Sequence, residues 1–224
     1  MVHKIRAAHL SLIAALFIAG CGGGSDSSNP TPHQNLQSAR APSEPMAISS
    51  TTLTAMDGSG NTYTITYSST PGGMAMFNGQ NADTSAIALT VSKNGTVVAT
   101  EDSTAYYLAN PYSPLGLSGT TSGVAWTAVI TGSTPTPSML TVGTSGSLST
   151  AIYKDGMGNM IGSLTETYTV TADSPTAVFL NIDAAGSING VQETETLTYS
   201  VASDGTVALV QAQITFNGMT LTFH

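Results

Sequence analysis

Glu193 and Glu195 stand two residues apart in a Glu-Thr-Glu-Thr run, and Glu166 sits in a similar run, Thr165-Glu166-Thr167. In an extended chain residues i and i+2 share a face. Glu193 and Glu195 are therefore a carboxylate pair, joined by Glu166 if its strand is a neighbour. Carboxyl groups about 5 to 9 Å apart are what glycoside hydrolysis uses, one as acid and the other as base or nucleophile. Catalysis also needs convergent groups in a cleft, and the sequence names only the pair. The same spacing is what the wet end of any strand looks like. The reading taken is no catalytic residue and no enzyme.

Other chemistries lack their residues. Histidine is confined to His3, His9, His33 and His224, far from the middle of the chain. A Ser-His-Asp triad or a histidine metal site has nothing to be built from there. Two Asp-Gly-x-Gly-Asn loops, at 57–61 and 155–159, each offer one Asp and one Asn. Calcium takes six to eight oxygens, and Asp-Gly and Gly-Asn are turn formers first. No metal is expected. Tyr106, Tyr107, Tyr112 and Trp126 are the candidates for stacking on a ligand or gripping a partner. For Trp126 the reading favoured is burial, with Val124 and Ala128 on its own face.

The elements that carry these residues are strands. Tyr63, Ile65 and Tyr67 alternate with Thr62, Thr64 and Thr66, and Leu197, Tyr199 and Val201 alternate with Thr196, Thr198 and Ser200. Period two with one apolar face is the mark of antiparallel sheet. Asn-Gly or Asp-Gly recurs between the runs, as at Asn78, Asn94, Asp155, Asn189, Asp204 and Asn217. These pairs supply the positive φ of tight hairpins. The fold class expected is all-β, an antiparallel β-sandwich or a closed barrel of two related halves, after a disordered tether. The halves, about 51–110 and 147–216, are a possible internal duplication marked by the two Asp loops and by the later hairpins at Asn94-Gly95 and Asp204-Gly205. The middle, Asn110 to Pro137, reads as irregular because of its prolines, with one strand, 124–130, inside it.

Ahead of the β domain (49–224) come Lys4 and Arg6, an apolar run from His9 to Ala19, and then Ile18-Ala19-Gly20-Cys21. A basic start, a short apolar run and small residues describe a secretory signal. The run is too short to span a bilayer, which takes roughly 20 apolar residues. Ile18, Ala19, Gly20 and Cys21 resemble the lipobox of bacterial lipoproteins. The resemblance implies a signal peptide over 1–20, cleavage before Cys21, a diacylglycerol on its sulfur and an acyl chain such as palmitate on its new amine. Gly22 in place of Asp resembles the lipoproteins released to the outer membrane rather than held at the inner one. Residues 21–48 are rich in Gly, Ser, Pro and Asn and read as a lipidated disordered tether, spanning roughly 30 Å as a flexible coil.

Charge narrows the partners. After loss of the signal, Arg40, Lys93 and Lys154 stand against all 13 acids. Such a surface repels phosphate backbones, so no nucleic acid partner is expected. Cys21 is the only cysteine, so disulfides are excluded. Apart from the lipid on Cys21 no cofactor is expected. The function read from these features is a lipoprotein of the cell envelope, anchored in the outer membrane, whose non-catalytic β domain has a structural or interaction role with an envelope protein or glycan. The alternative is a ligand carrier or glycan-binding module with a pocket in a β-barrel.

Overall fold

A computed structural model of the chain describes residues 36–40, 50–109, 112–134, 137, 139–216 and 219–224. Ile18, Ala19, Gly20 and Cys21 lie outside the described residues, as does most of the expected tether. The strands are β1 (Ser38–Arg40), β2 (Ser50–Met56), β3 (Thr62–Phe77), β4 (Gln80–Lys93), β5 (Thr96–Ala109), β6 (Tyr112–Thr121) and β7 (Val124–Thr131). They continue as β8 (Met139–Thr141), β9 (Ser145–Asp155), β10 (Met160–Ser174), β11 (Ala177–Ile188), β12 (Val191–Ala202), β13 (Val207–Phe216) and β14 (Met219–Phe223). The chain is all-β, and β2 to β14, without β8, form one 12-stranded antiparallel sheet in which neighbours in sequence are neighbours in space.

This sheet curls until its first and last strands meet. Thr54 and His224 exchange two backbone hydrogen bonds, each 3.0 Å, across the seam. The result is a nearly closed up-and-down barrel, the second of the two architectures the alternation allowed. Short turns make the meander possible. Asn78, Asn94 and Asn189 take φ of 50°, 49° and 53°, each followed by a glycine with positive φ, as two-residue hairpins with right-handed strand twist demand.

The core fills the inside of the barrel. Ile65, Leu89, Leu117, Leu164, Leu180 and Leu197 are among its most buried side chains. The opposite face carries hydroxyls and amides that bond across strands: Thr196 to Asp183 at 2.6 Å, Thr198 to Asn181 at 2.9 Å, and Ser200 to Asp173 at 2.6 Å. Such cross-strand pairs are how a sheet stabilises a face turned to water.

Three expectations change. The stretch expected to be a tether contributes β1, which pairs with β8 through Ala39 opposite Leu140, and both side chains are buried. The Leu36 amide bonds Ser174 O at 2.7 Å and the Val142 amide bonds Gln37 O at 2.8 Å. This two-stranded plug packs on β10, β11 and β12, because Leu36 and Ala39 are apolar groups in an otherwise polar segment. Between 112 and 131 the middle of the chain is regular, with β6 and β7 in ladder. Pro114 fits because the register of β5 and β6 shifts at that point, where a ladder amide is not required. Lastly, two strands separate the Asp57 loop from Asn94-Gly95, and three separate the Asp155 loop from Asp204-Gly205. In a meander those later hairpins fall at opposite rims. The two later hairpins therefore do not stand in equivalent places relative to the Asp loops.

Candidate functional site

The carboxylates singled out by spacing do come together, but inside the barrel. Glu166 on β10 faces Ala184 on β11, and Ala184 faces Glu195 on β12. Strands lie about 4.8 Å apart, so the two glutamates flank a small residue at roughly 10 Å between backbones. Glu193 is one step along β12, beside Gly186. A fourth, Glu101 on β5, reaches the same band from across the barrel and interacts electrostatically with Glu193 and Glu195. All four are buried, the most exposed being Glu193 at 8%. The wet-strand-end reading is thereby corrected.

Glu101, Glu166 and Glu195 have incomplete compensation. Trp126 Nε1 donates to Thr121 Oγ1 at 2.9 Å, and Thr121 Oγ1 donates to Glu101 Oε2 at 2.8 Å. Ser149 Oγ donates to Glu166 Oε2 at 2.5 Å. Glu101 Oε1, Glu166 Oε1, both oxygens of Glu195 and Tyr199 Oη are buried with no hydrogen-bond partner among the described residues. Burial disfavours the charged form. It pushes Glu101 up to about 8 against the pull of Thr121, and Glu166 up to about 7 against the pull of Ser149. Glu195 rises well above the carboxylate range through burial, then through the charges of Glu166, Glu193 and Glu101. In this band Glu101, Glu166 and Glu195 are all shifted toward their neutral forms.

No three of these groups are placed to hold a metal ion among the described residues. The two Asp loops use their carboxylates locally. Asp57 Oδ1 accepts from the amides of Ser59 and Asn61, and Asp155 Oδ1 from those of Met157 and Asn159. Asn61 and Asn159 then donate side-chain amides to the second oxygen at 2.7 and 3.0 Å. These bonds hold both aspartates below the usual carboxylate range, the side-chain bond from the Asn contributing most.

A second feature lies on the outer face. An open groove of about 870 Å³ crosses β3 to β7 and ends against the Asp155 loop. Small residues make it concave: Ala86, Ala88, Ala125 and Gly156 line it beside Ser and Thr hydroxyls and Asp102. None of the four buried glutamates lines it. Beside it Tyr106 stacks on Phe77 at 4.5 Å between ring centroids, with 22° between planes, and Tyr106 Oη bonds Ser118 Oγ at 3.0 Å.

That stack needs Gly116, since a Cβ there would lie 2.5 Å from the Phe77 ring and 2.3 Å from Ala128 O. Gly116→Ala is expected to cost about 2 kcal/mol by overpacking, read as a lower urea midpoint at unchanged slope. An unchanged midpoint would mean that Phe77 moves aside freely.

Of the expected contact residues, Tyr106 adjoins this groove, while Tyr107 is half-buried opposite Asp83. Tyr112 opens β6 opposite Ala109, and its side chain lies outside the described residues. Trp126 is buried with Ala128, tilted against Tyr153 at 5.8 Å. Val124 is 54% exposed instead of sharing that core, because it starts β7 directly after the Ser122-Gly123 turn. Glu101, Thr121 and Tyr153 were not singled out by sequence, and Tyr199 was read only as part of a core face. The signal was there for Glu101, which alternates with Ser103 and Ala105 on one face.

The fold and these features define a nearly closed antiparallel barrel with hydroxyl-rich outer rows and a band of buried acids in its core. Comparison with protein-family models, with curated proteins and with solved structures gave no match.

Proposed function

We propose that the chain is an outer-membrane lipoprotein held by a lipid on Cys21, whose barrel is a non-catalytic interaction module of the cell envelope. The observation that carries this is the polarity of the barrel's outside. Rows such as Thr64-Thr66-Ser68 on β3 and Thr165-Thr167-Thr169 on β10 point away from the core. A barrel that spans a bilayer carries an apolar outward band, whereas these rows suit water. A barrel of this kind needs a separate device to stay at a membrane, and the lipobox at Ile18 to Cys21 supplies one. Two acyl chains or more give stable anchoring, at about 0.8 kcal/mol for each buried CH₂. Burial of all four core glutamates supports the non-catalytic part, because a base or nucleophile must reach its substrate.

The test is metabolic labelling of the full chain with a palmitate analogue in a Gram-negative host, followed by fractionation of the membranes. Wild type is expected to take up label and to float with outer-membrane vesicles, and Cys21→Ser to lose both. Membrane attachment of the unlabelled variant would sink the anchor.

A further inference from the structure

We infer that the outer groove across β3 to β7 binds a linear chain of neutral sugar residues. This names a ligand for the interaction role proposed above and is independent of the lipid anchor. The groove runs across the strands, so its floor repeats roughly every 4.8 Å and extends for about 20 Å over five strands. A long, open floor of that kind suits a polymer lying along it better than a compact ligand.

The lining has the chemistry of a polyol site. Thr70, Thr104, Thr120 and Thr127 present hydroxyls, which donate and accept as sugar hydroxyls do. Asp102 adds a carboxylate, and a carboxylate can accept from two neighbouring hydroxyls in charge-assisted bonds. Asp155 also lines the groove, but its oxygens are taken by its own loop, so Asp102 is the acceptor left for a ligand. Outside the lining, the Phe77–Tyr106 stack adjoins the groove, and the Tyr106 bond to Ser118 ties it to the groove wall.

The same lining argues against other occupants. It holds two aspartates and no lysine or arginine, which disfavours uronates, phosphates and acidic peptides. An extended peptide that adds to a sheet needs an open strand edge. This floor is the face of strands paired on both sides.

The experiment is titration calorimetry on the detergent-solubilised full chain with cellohexaose, xylohexaose and mannohexaose. Hexagalacturonate and hexalysine serve as controls. At least one neutral hexamer is expected to bind and hexagalacturonate not to. Asp102→Asn and Thr120→Trp, the second filling the floor, are each expected to weaken binding tenfold or more, with far-UV circular dichroism unchanged. Tyr106→Phe keeps the ring and is expected to change affinity less than either. No binding by any neutral hexamer at millimolar concentration would overturn the inference. So would hexalysine as the best ligand, or binding indifferent to both groove variants. None of these results bears on palmitate labelling, so the anchor and the groove stand or fall separately.

Discussion

Raising the pH from 5 to 8 is expected to lower the thermal midpoint of the full chain by on the order of 10 °C. The cause is the acidic band in the core. Burial favours the neutral acid, so the folded chain keeps protons that the unfolded chain has already released. Where the native state binds more protons, stability falls as pH rises. The window opens near the ordinary value of 4.5, and Glu101 gives way near 8, the value to which it is pushed. Glu166, pushed to about 7, gives way earlier in the same window. A tenfold change in proton affinity is worth about 1.4 kcal/mol. After allowance for water entering around an ionised group, a loss of a few kcal/mol remains, and each costs about 2 to 4 °C in a chain of this size.

The groups facing the band from other strands do not reverse the sign. Tyr153 on β9 and Tyr199 on β12 are pushed well above 10 by burial, then by nearby acids or, first for Tyr199, by Tyr67. Tyr67 on β3 is pushed up to about 12 by burial, so all three stay neutral through the window. Asp102, next to Glu101, only raises it further. Lys93 sits over the Tyr63 ring at 5.2 Å and faces water. Glu101→Gln with Glu166→Gln is expected to flatten the slope and raise the midpoint at pH 8. A wild-type midpoint constant from pH 5 to 8 would rule the account out.

Leu140→Ala is expected to destabilise the plug by about 3 kcal/mol, within the usual range for a buried leucine. Leu140 is fully buried, sits opposite Ala39 and belongs to the main core. The barrel itself keeps its ladder without β1, so the loss is capped by the free energy that docks the plug. The readout that separates these is limited proteolysis beside thermal unfolding. Cleavage near residues 36 to 49 is expected to speed up by tenfold or more, while the global midpoint drops by only a few degrees. Unchanged cleavage would mean that the segment is held by its backbone bonds alone, those of Leu36 and Gln37 to Ser174 and Val142 and the β1–β8 ladder.

The period-two pattern was enough to find most strands, and it held the key to the acids as well. Leu197, Tyr199 and Val201 were read as a core face, and counting back along the same face reaches Glu195 and Glu193. Glu166 precedes Tyr168 and Val170 in the same way. The same spacing also fits the wet end of a strand, and following the pattern inward carries the cost of burying a carboxylate. That cost is reduced here by keeping the proton and by hydroxyls from Ser149 and Thr121, which come from other strands and which no local pattern announces. The tether was misread at Leu36 to Arg40 for a related reason, since a three-residue strand is too short to show a period.

The sequence alone determined the strand content, the hairpin turns at Asn78, Asn94 and Asn189, and the lipobox resemblance at Cys21, because each is written in neighbouring residues. Tertiary structure alone decided that the sheet closes through Thr54 and His224. It also decided that Glu101 interacts electrostatically with Glu193 and Glu195, and that residues from five strands line an outer groove. Those features depend on curvature and on pairing between distant strands, which are set by the packing of the whole sheet and not by any one stretch of it.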